Sequence, residues 1–182
     1  MKESLTFEPA INQPNLVSKS VTSLLESWQS STAVEDIQVA EIDTASAGGQ
    51  EFCTRYGFPF TMGANCVVVE GVRNEQRTFA ACVALVGAQI NFNSVVRKFL
   101  NARKVSLAPL DTVLELSQME YGSITPFGLP ETWKILLDSQ LLNSPKIVIG
   151  SGLLKSKLLL PTEALVNLPG AVVREGLASN KE

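Results

Sequence analysis

Asn65-Cys66-Val67-Val68-Val69-Glu70 and, after a gap, Thr78-Phe79-Ala80-Ala81-Cys82-Val83-Ala84-Leu85-Val86 are two strongly apolar runs. The segment between them, Gly71 to Arg77, is polar, with Asn74 at its middle. Two β-prone runs separated by such a segment predict a hairpin. Neither run alternates apolar with polar, so both are expected to be central strands covered on both faces.

Outward from this hairpin, the chain reads as a mixture of strands and helices without strict βαβ alternation. Leu16, Val17, Val21, Leu24, Leu25 and Trp28 recur at helical spacing, with Asn12, Pro14 and Asn15 opening the helix. Ile37–Ile42 predicts a strand. Asp43 or Thr44 caps a helix to about Tyr56, weakened by Gly48 and Gly49 and ended by Gly57 and Pro59. Beyond the hairpin, Asn91 or Asn93 caps a helix that turns Val95, Val96, Phe99 and Leu100 inward. Val105–Leu107 is a short strand, and Pro109 and Asp111 start another helix. Trp133–Leu137, Lys146–Ile149, Leu158–Leu160 and Val172–Val173 predict further strands, with a helix opening at Pro161. The expected fold is α+β, a single domain whose curved, mostly antiparallel mixed sheet is barrel-like and flanked by helices. Residues 1–34 are expected to form an arm and helix, 35–178 the main domain, and 179–182 a frayed tail beginning near Ala178.

Composition narrows the chemistry. The chain has 182 residues, 45% hydrophobic and 18% charged, enough for one domain with a real core. It contains no His, which excludes Ser-His-Asp, Cys-His and His-metal arrangements. Cys53, Cys66 and Cys82 have no metal-ligand spacing, so neither a metal nor another cofactor is expected. Reduced core thiols favour the cytoplasm. No apolar run approaches the ~20 residues of a membrane span, and Met1–Asn15 has no signal-peptide core. The formal net charge of −3 argues against strong non-specific nucleic-acid binding and leaves a specific, local RNA contact open. Arg97, Lys98, Arg103 and Lys104 gather near one helix end. Complementing the helix dipole and touching RNA phosphates are both open readings of that cluster.

A second stretch bears on function: Tyr121-Gly122-Ser123-Ile124-Thr125-Pro126-Phe127-Gly128-Leu129-Pro130. Two Gly and two Pro punctuate apolar and hydroxyl side chains. An ordinary buried turn and a loop folded into a pocket wall both fit. In a pocket wall, free backbone N–H and C=O groups face a ligand, as oxyanion contacts require.

From Asn65 onward the sequence resembles the YbaK family, which includes the editing domains inserted in, or associated with, prolyl-tRNA synthetases. The paired apolar strands, the helix and strand around Val95–Leu107, and the loop Gly122–Gly128, similar to the family's Gly-x-x-x-Pro motif, carry the resemblance. So does Leu136-Leu137-Asp138 followed by Ile147-Val148-Ile149-Gly150-Ser151-Gly152 and the Pro161 helix. The resemblance implies a deacylase acting in trans on the 3′ aminoacyl end of a mischarged tRNA, with a small amino acid as the substrate. It also implies that the substrate's terminal ribose hydroxyl helps to activate water. By that similarity Gly122 and Pro126 position the ester, with Ser123, Thr125, Phe127 and Gly128 around them. Gly150, Ser151 and Gly152 line the other side, and Asp138 stands at the pocket edge or acts as a structural cap. Family deacylases carry a Lys just before the first paired strand. Here Ala64, or Asn65 with a one-residue slip, stands at that substrate-binding position, and no Lys or Arg occurs between Phe58 and Gly71. Asn65 as a neutral donor, or Lys134, Lys155 or Lys157 reaching in, would restore the function. A protein that binds an aminoacyl end or small ligand without turnover is the alternative, and a pocket turned to protein contact is a third.

Overall fold

The computed structural model describes residues 3–180. Its centre is the expected hairpin, longer than its apolar runs: Ala64–Arg73 pairs in register with Gln76–Leu85, from Ala64 opposite Leu85 to Arg73 opposite Gln76. The polar segment contracts to a two-residue turn because Asn74 and Glu75 both take positive φ, 49° and 66°. That left-handed pair matches the twist of antiparallel strands.

In chain order, β1 is Glu8–Pro9, α1 Lys19–Glu26, β2 Gln38–Glu41, α2 Gly49–Tyr56, β3 Ala64–Arg73, β4 Gln76–Leu85 and β5 Ala88–Ile90. Then come α3 (Arg97–Phe99), β6 (Lys104–Leu107), α4 (Leu110–Ser117), β7 (Lys134–Asp138) and β8 (Lys146–Gly150). The chain continues through β9 (Ser156–Pro161), α5 (Thr162–Val166), β10 (Ala171–Arg174) and β11 (Ala178–Asn180). One sheet has the order β10-β7-β4-β3-β6, a second β1-β2-β9-β8, and β11 pairs with β5. Pairing is antiparallel except for β4 with β7 and β7 with β10. The fold is mixed α+β with mostly antiparallel sheets. A single parallel bridge, Gly63 to Val148, joins the two larger sheets, with Val148 N–H donating to Met62 O at 2.7 Å. Among the described residues the sheets form separate ladders, so the barrel-like expectation is replaced by two open sheets meeting at one corner.

Alternation explains why β4 and β7 read as continuous apolar runs. Val83, Ile135 and Leu137 face the main core, against Ile147, Ile149, Leu158 and Leu160 of the second sheet and Val21 and Leu25 of α1. Cys82 and Leu136 face the other way, against Val96, Val105 and Leu177. Each fully buried Leu or Ile contributes about 1.5–3 kcal/mol.

Several element boundaries differ from expectation. The first helix starts at Lys19, capped by Ser18 Oγ accepting from Val21 N–H, while Leu16 and Val17 pack before it. The stretch after Asp43 breaks into a 3₁₀ turn, Thr44–Ser46, and α2, which opens at Gly49 and ends on Gly57 with φ 76°. The helix expected from Asn91 or Asn93 is a π-helical turn, Phe92–Val96, followed by the three residues of α3. Asn91 does not cap it; its Nδ2 donates to Gly176 O at 2.8 Å. As far as Asn180 the expected frayed tail is instead β11, paired with β5, and Ala178 N–H donates to the buried Asp138; residues 181–182 of that tail lie outside the described residues. The arm at 1–34 is integrated where described: β1 pairs with β2. No helix of the described residues is long and apolar enough to cross a membrane.

Candidate functional site

One edge of β3 is unpaired where the two sheets meet. Along that edge Val72 O accepts from Arg103 N–H (2.9 Å) and Val68 O from Ala108 N–H (3.0 Å). Backbone groups alternate sides along a strand, so Cys66 directs its N–H and C=O toward the same edge. The ladder to β6 runs only from Val69 to Val72, and the bridge to β8 is at Gly63, which leaves the edge at Cys66 without a neighbouring strand. A cavity of about 610 Å³ fills this gap, a size suited to a small-molecule site. Its lining includes Ala47, Gly48, Gly49 and Ala64, and the exposed Leu107, Leu110 and Tyr121 form an apolar mouth. Tyr121 is 72% exposed.

The Gly/Pro-punctuated loop forms another wall through Gly122 and Ile124. Gly122 takes φ +83°. Gly152 N–H donates to Ser123 O and Glu120 N–H to Gly152 O, both at 2.9 Å, which ties the loop to the turn after β8. A Cβ on Gly150 would lie 2.6 Å from Ser123 O and 2.9 Å from Ile124 O, so the loop rests directly on the β8 backbone. On its far side Phe127 is buried and stacked on Trp28 at 6.0 Å. A Cβ on Gly128 (φ +83°) would meet Ser20 O at 2.4 Å. Helix α1 therefore braces the back of the loop.

Lys157 supplies the cavity's positive charge. On β9 it lies directly opposite Gly150 of β8 and Ala40 of β2. Directly opposed residues project from the same face of a sheet, and neither neighbour carries a long side chain. Lys157, Gly150 and the loop residues Gly122 and Ile124 all line the one cavity. It is 5% exposed and takes part in none of the ion pairs among the described residues. Burial lowers its pKa to about 8, with the Cys53 thiol of α2 the group that opposes the shift. Burial in turn raises the pKa of Cys53. Lys134 and Lys155, the other cations considered, are exposed and outside the cavity lining.

Of the residues expected at the site, Ala64, Asn65, Gly122 and Gly150 meet around the cavity. Asn65 Oδ1 lies over the start of α2, where a Cβ on Gly49 would approach it to 2.7 Å. Ser123, Thr125 and Pro126 are buried outside its lining, and Ser123 Oγ and Thr125 Oγ1 have no hydrogen-bond partner. Phe127 and Gly128 face α1. Ser151 and Gly152 are not at the cavity wall, a correction to the expected lining. Ser151 Oγ is held by Ser156 Oγ at 2.7 Å, and Gly152 packs against Ser18. Asp138 is a structural cap: Oδ1 accepts from Gln140 N–H (2.9 Å) and Oδ2 from Ala178 N–H (2.8 Å), away from the cavity. Sequence reading missed Ala47–Gly49 and the mouth residues Leu107 and Leu110. A Lys opening the apolar run Lys157–Pro161, five residues after Gly152, was the signal available for Lys157.

The sequence pattern of the aminoacyl-tRNA editing domain matches residues 43–168. Among solved structures, the hypothetical protein APE2540 superposes with a TM-score of 0.69 at 22% identity, over 79% of this chain and 91% of that one. A candidate trans-editing enzyme for prolyl-tRNA synthetase superposes with a TM-score of 0.71 at 17% identity, over 87% of this chain and 97% of that one. At these identities the likeness is one of fold. No curated protein matches the chain.

Proposed function

Because the chain belongs to the aminoacyl-tRNA editing domain family, we propose that it is a deacylase acting in trans in the cytoplasm, hydrolysing the ester of a small mischarged amino acid on tRNA. The observation that carries this reading is the convergence on one cavity of the Gly122–Ile124 turn, the unpaired β3 edge at Cys66 and the buried Lys157. Each suits a different part of an aminoacyl ester. Ala47, Gly48, Gly49 and Ala64 leave room in the lining for the amino-acid side chain, and the bounded volume of the cavity would set the size limit that hydrolytic editing requires. The strand edge offers an N–H and a C=O to the polar groups of the amino acid. Leu107, Leu110 and Tyr121 give the terminal nucleoside an apolar and aromatic surface.

An aminoacyl ester is already activated, so this site needs no histidine. Water adds to the ester carbonyl carbon. The Lys157 ammonium and the backbone of the Gly122–Pro126 loop stabilise the negative charge that develops on the carbonyl oxygen. The bond to the ribose oxygen then breaks, and that oxygen takes up the proton lost by the water, helped by the neighbouring ribose hydroxyl. The products are the free amino acid and tRNA with its 3′-terminal hydroxyl restored. Pro126, Ser123 and Thr125 fix the loop from behind, while Ala64 and Asn65 border the amino-acid subsite. Lys157 stands in for the cation that Ala64 and Asn65 do not supply.

The test is a deacylation panel of small amino acids on tRNA-Pro, tRNA-Ala and tRNA-Thr. Ester loss above background on at least one is expected. Background rates throughout, with saturable binding of a non-hydrolysable aminoacyl-adenosine analogue, would replace this reading by binding without turnover.

A further inference from the structure

We propose that a basic hollow at the far end of β6 is a second binding site, for the phosphate backbone of the tRNA acceptor end. The inference rests on tRNA being the ligand, but not on turnover. The hollow, about 460 Å³, is lined by Arg73, Arg97, Lys98, Asn101, Ala102 and Arg103: four cations and no carboxylate. In a chain with 15 basic and 18 acidic residues this is a marked local excess. None of the four joins the ion pairs formed among the described residues, which use Arg55 and Arg77.

The cluster is built rather than incidental. Its cations come from the end of β3, from α3 and from the turn after it. Asn101 adopts φ 49°, Ala102 N–H donates to Arg97 O, and Arg73 Nε donates to Asn101 O, so strand and turn are locked together. Helix-dipole complementation does not account for it. The dipole effect is confined to the last turn of a helix, while α3 has three residues and Arg73 and Arg103 lie outside it. Four like charges facing one hollow repel one another, and a polyanion relieves that repulsion.

Position supplies the second argument. Arg103 and Ala108 bind β3 at opposite ends of the β6 ladder, through Val72 O and Val68 O. Five residues at ~3.3 Å each separate them by about 16 Å. Ala108 lines the cavity and Arg103 the hollow. At a stacked rise of ~3.4 Å per nucleotide, that is about five nucleotides. A 3′ end whose last residue occupies the cavity would thus bring its upstream phosphates to the arginines.

The experiment compares the wild type with Arg97→Gln/Arg103→Gln, which leaves the Arg73–Asn101 bond in place, and with Arg97→Lys/Arg103→Lys. Binding of uncharged tRNA is measured from low to moderate salt, and hydrolysis is measured on full-length aminoacyl-tRNA and on an aminoacylated CCA trinucleotide. The Gln variant is expected to bind tRNA about tenfold more weakly, with the slope of log affinity against log salt reduced by about two. It should hydrolyse the trinucleotide at the wild-type rate, and the Lys variant should retain most tRNA affinity. Unchanged tRNA affinity and salt slope in the Gln variant would overturn the site, as would no tRNA binding by the wild type. Equal loss on tRNA and trinucleotide would overturn it too. Charge-dependent tRNA binding without hydrolysis by any form would uphold this site while removing the deacylase reading.

Discussion

Gly150 and Lys157 lie directly opposite each other on β8 and β9, so both project from one face of that sheet. The backbone of Ser123–Ile124 occupies the space a Gly150 side chain would fill. The same register therefore brings the loop and the lysine to one wall of the cavity. Lys157→Met is expected to lower kcat/KM for deacylation by about 10²–10³-fold, the loss typical of removing one stabiliser of an oxyanion. Lys157→Arg should retain part of the activity. Steady-state kinetics on the best substrate of the deacylation panel tests both. Adding Asn65→Lys to Lys157→Met should recover some of the loss, because it returns a cation to the cavity from the β3 side.

The same lysine predicts an opposition between stability and activity. Its pKa in the folded protein, about 8, lies below the ordinary 10.5 because burial disfavours the ammonium. Between these values the unfolded chain binds more protons than the folded one, so stability rises with pH through that window. Below about pH 8 the full penalty is present, on the order of 3 kcal/mol. Lys157→Met should therefore raise the denaturation midpoint at pH 7 and lose that advantage by pH 10.5, as followed by chemical denaturation at both pH values.

Activity should change in the opposite sense. As pH rises through about 8, Lys157 loses the charge that the oxyanion needs. The thiol that faces it, Cys53, has its own ionisation raised by burial and stays neutral over this range. The substrate α-amino group, ordinarily near 7.7–8.0, titrates there as well, so the wild-type profile alone does not isolate the lysine. Lys157→Arg keeps its charge throughout. The alkaline fall in enzyme-dependent rate should be weaker in Lys157→Arg than in the wild type, with identical substrate in both.

The loop predicts a different kind of sensitivity. Gly150→Ala would put a methyl group 2.6 Å from Ser123 O, a backbone atom that cannot rotate away. Overpacking of this kind costs about 1–3 kcal/mol. A displacement of about 1 Å in the loop would cost on the order of 10²-fold in rate. Faster amide exchange across residues 122–126, with exchange in the β3–β4 hairpin unchanged, would distinguish a moved loop from general destabilisation.

The hairpin was legible from sequence because β3 and β4 are buried on both faces and leave long apolar runs. The loop was legible as a Gly/Pro cluster. What sequence reading could not supply was which side of the loop faces the cavity. Gly122 and Phe127 are five residues apart, yet one lines the cavity and the other stacks on Trp28, because α1 packs behind the loop. Such a division depends on contacts between residues about 100 apart in the chain. Ser151 and Gly152, in the turn after β8, lie outside the cavity lining because Ser151 Oγ is held by Ser156 Oγ and Gly152 packs against Ser18. Lys157 could be named only as one of three candidates, since nothing local reveals that it opposes a glycine. The strand Ala178–Asn180 was lost because its residues are small or polar with no β-prone side chain, and its pairing is set by backbone bonds to Ala88–Ile90.

Asp138 offers a test that separates structure from chemistry. It is 2% exposed, and its two oxygens accept from Gln140 N–H and Ala178 N–H. The first bond caps the 3₁₀ turn that leaves β7, and the second anchors the start of β11. Asp138→Ala strands both donors and is expected to cost about 3 kcal/mol, or roughly 6–12 °C in melting temperature for a chain of this length. Amide exchange should rise first at Ala178–Asn180 and Ala88–Ile90, which lose their anchor together. At temperatures where the variant remains folded, its kcat/KM should match the wild type, because neither bond touches the cavity. A variant that melts normally but fails to deacylate would instead return Asp138 to the site that the family resemblance suggested for it.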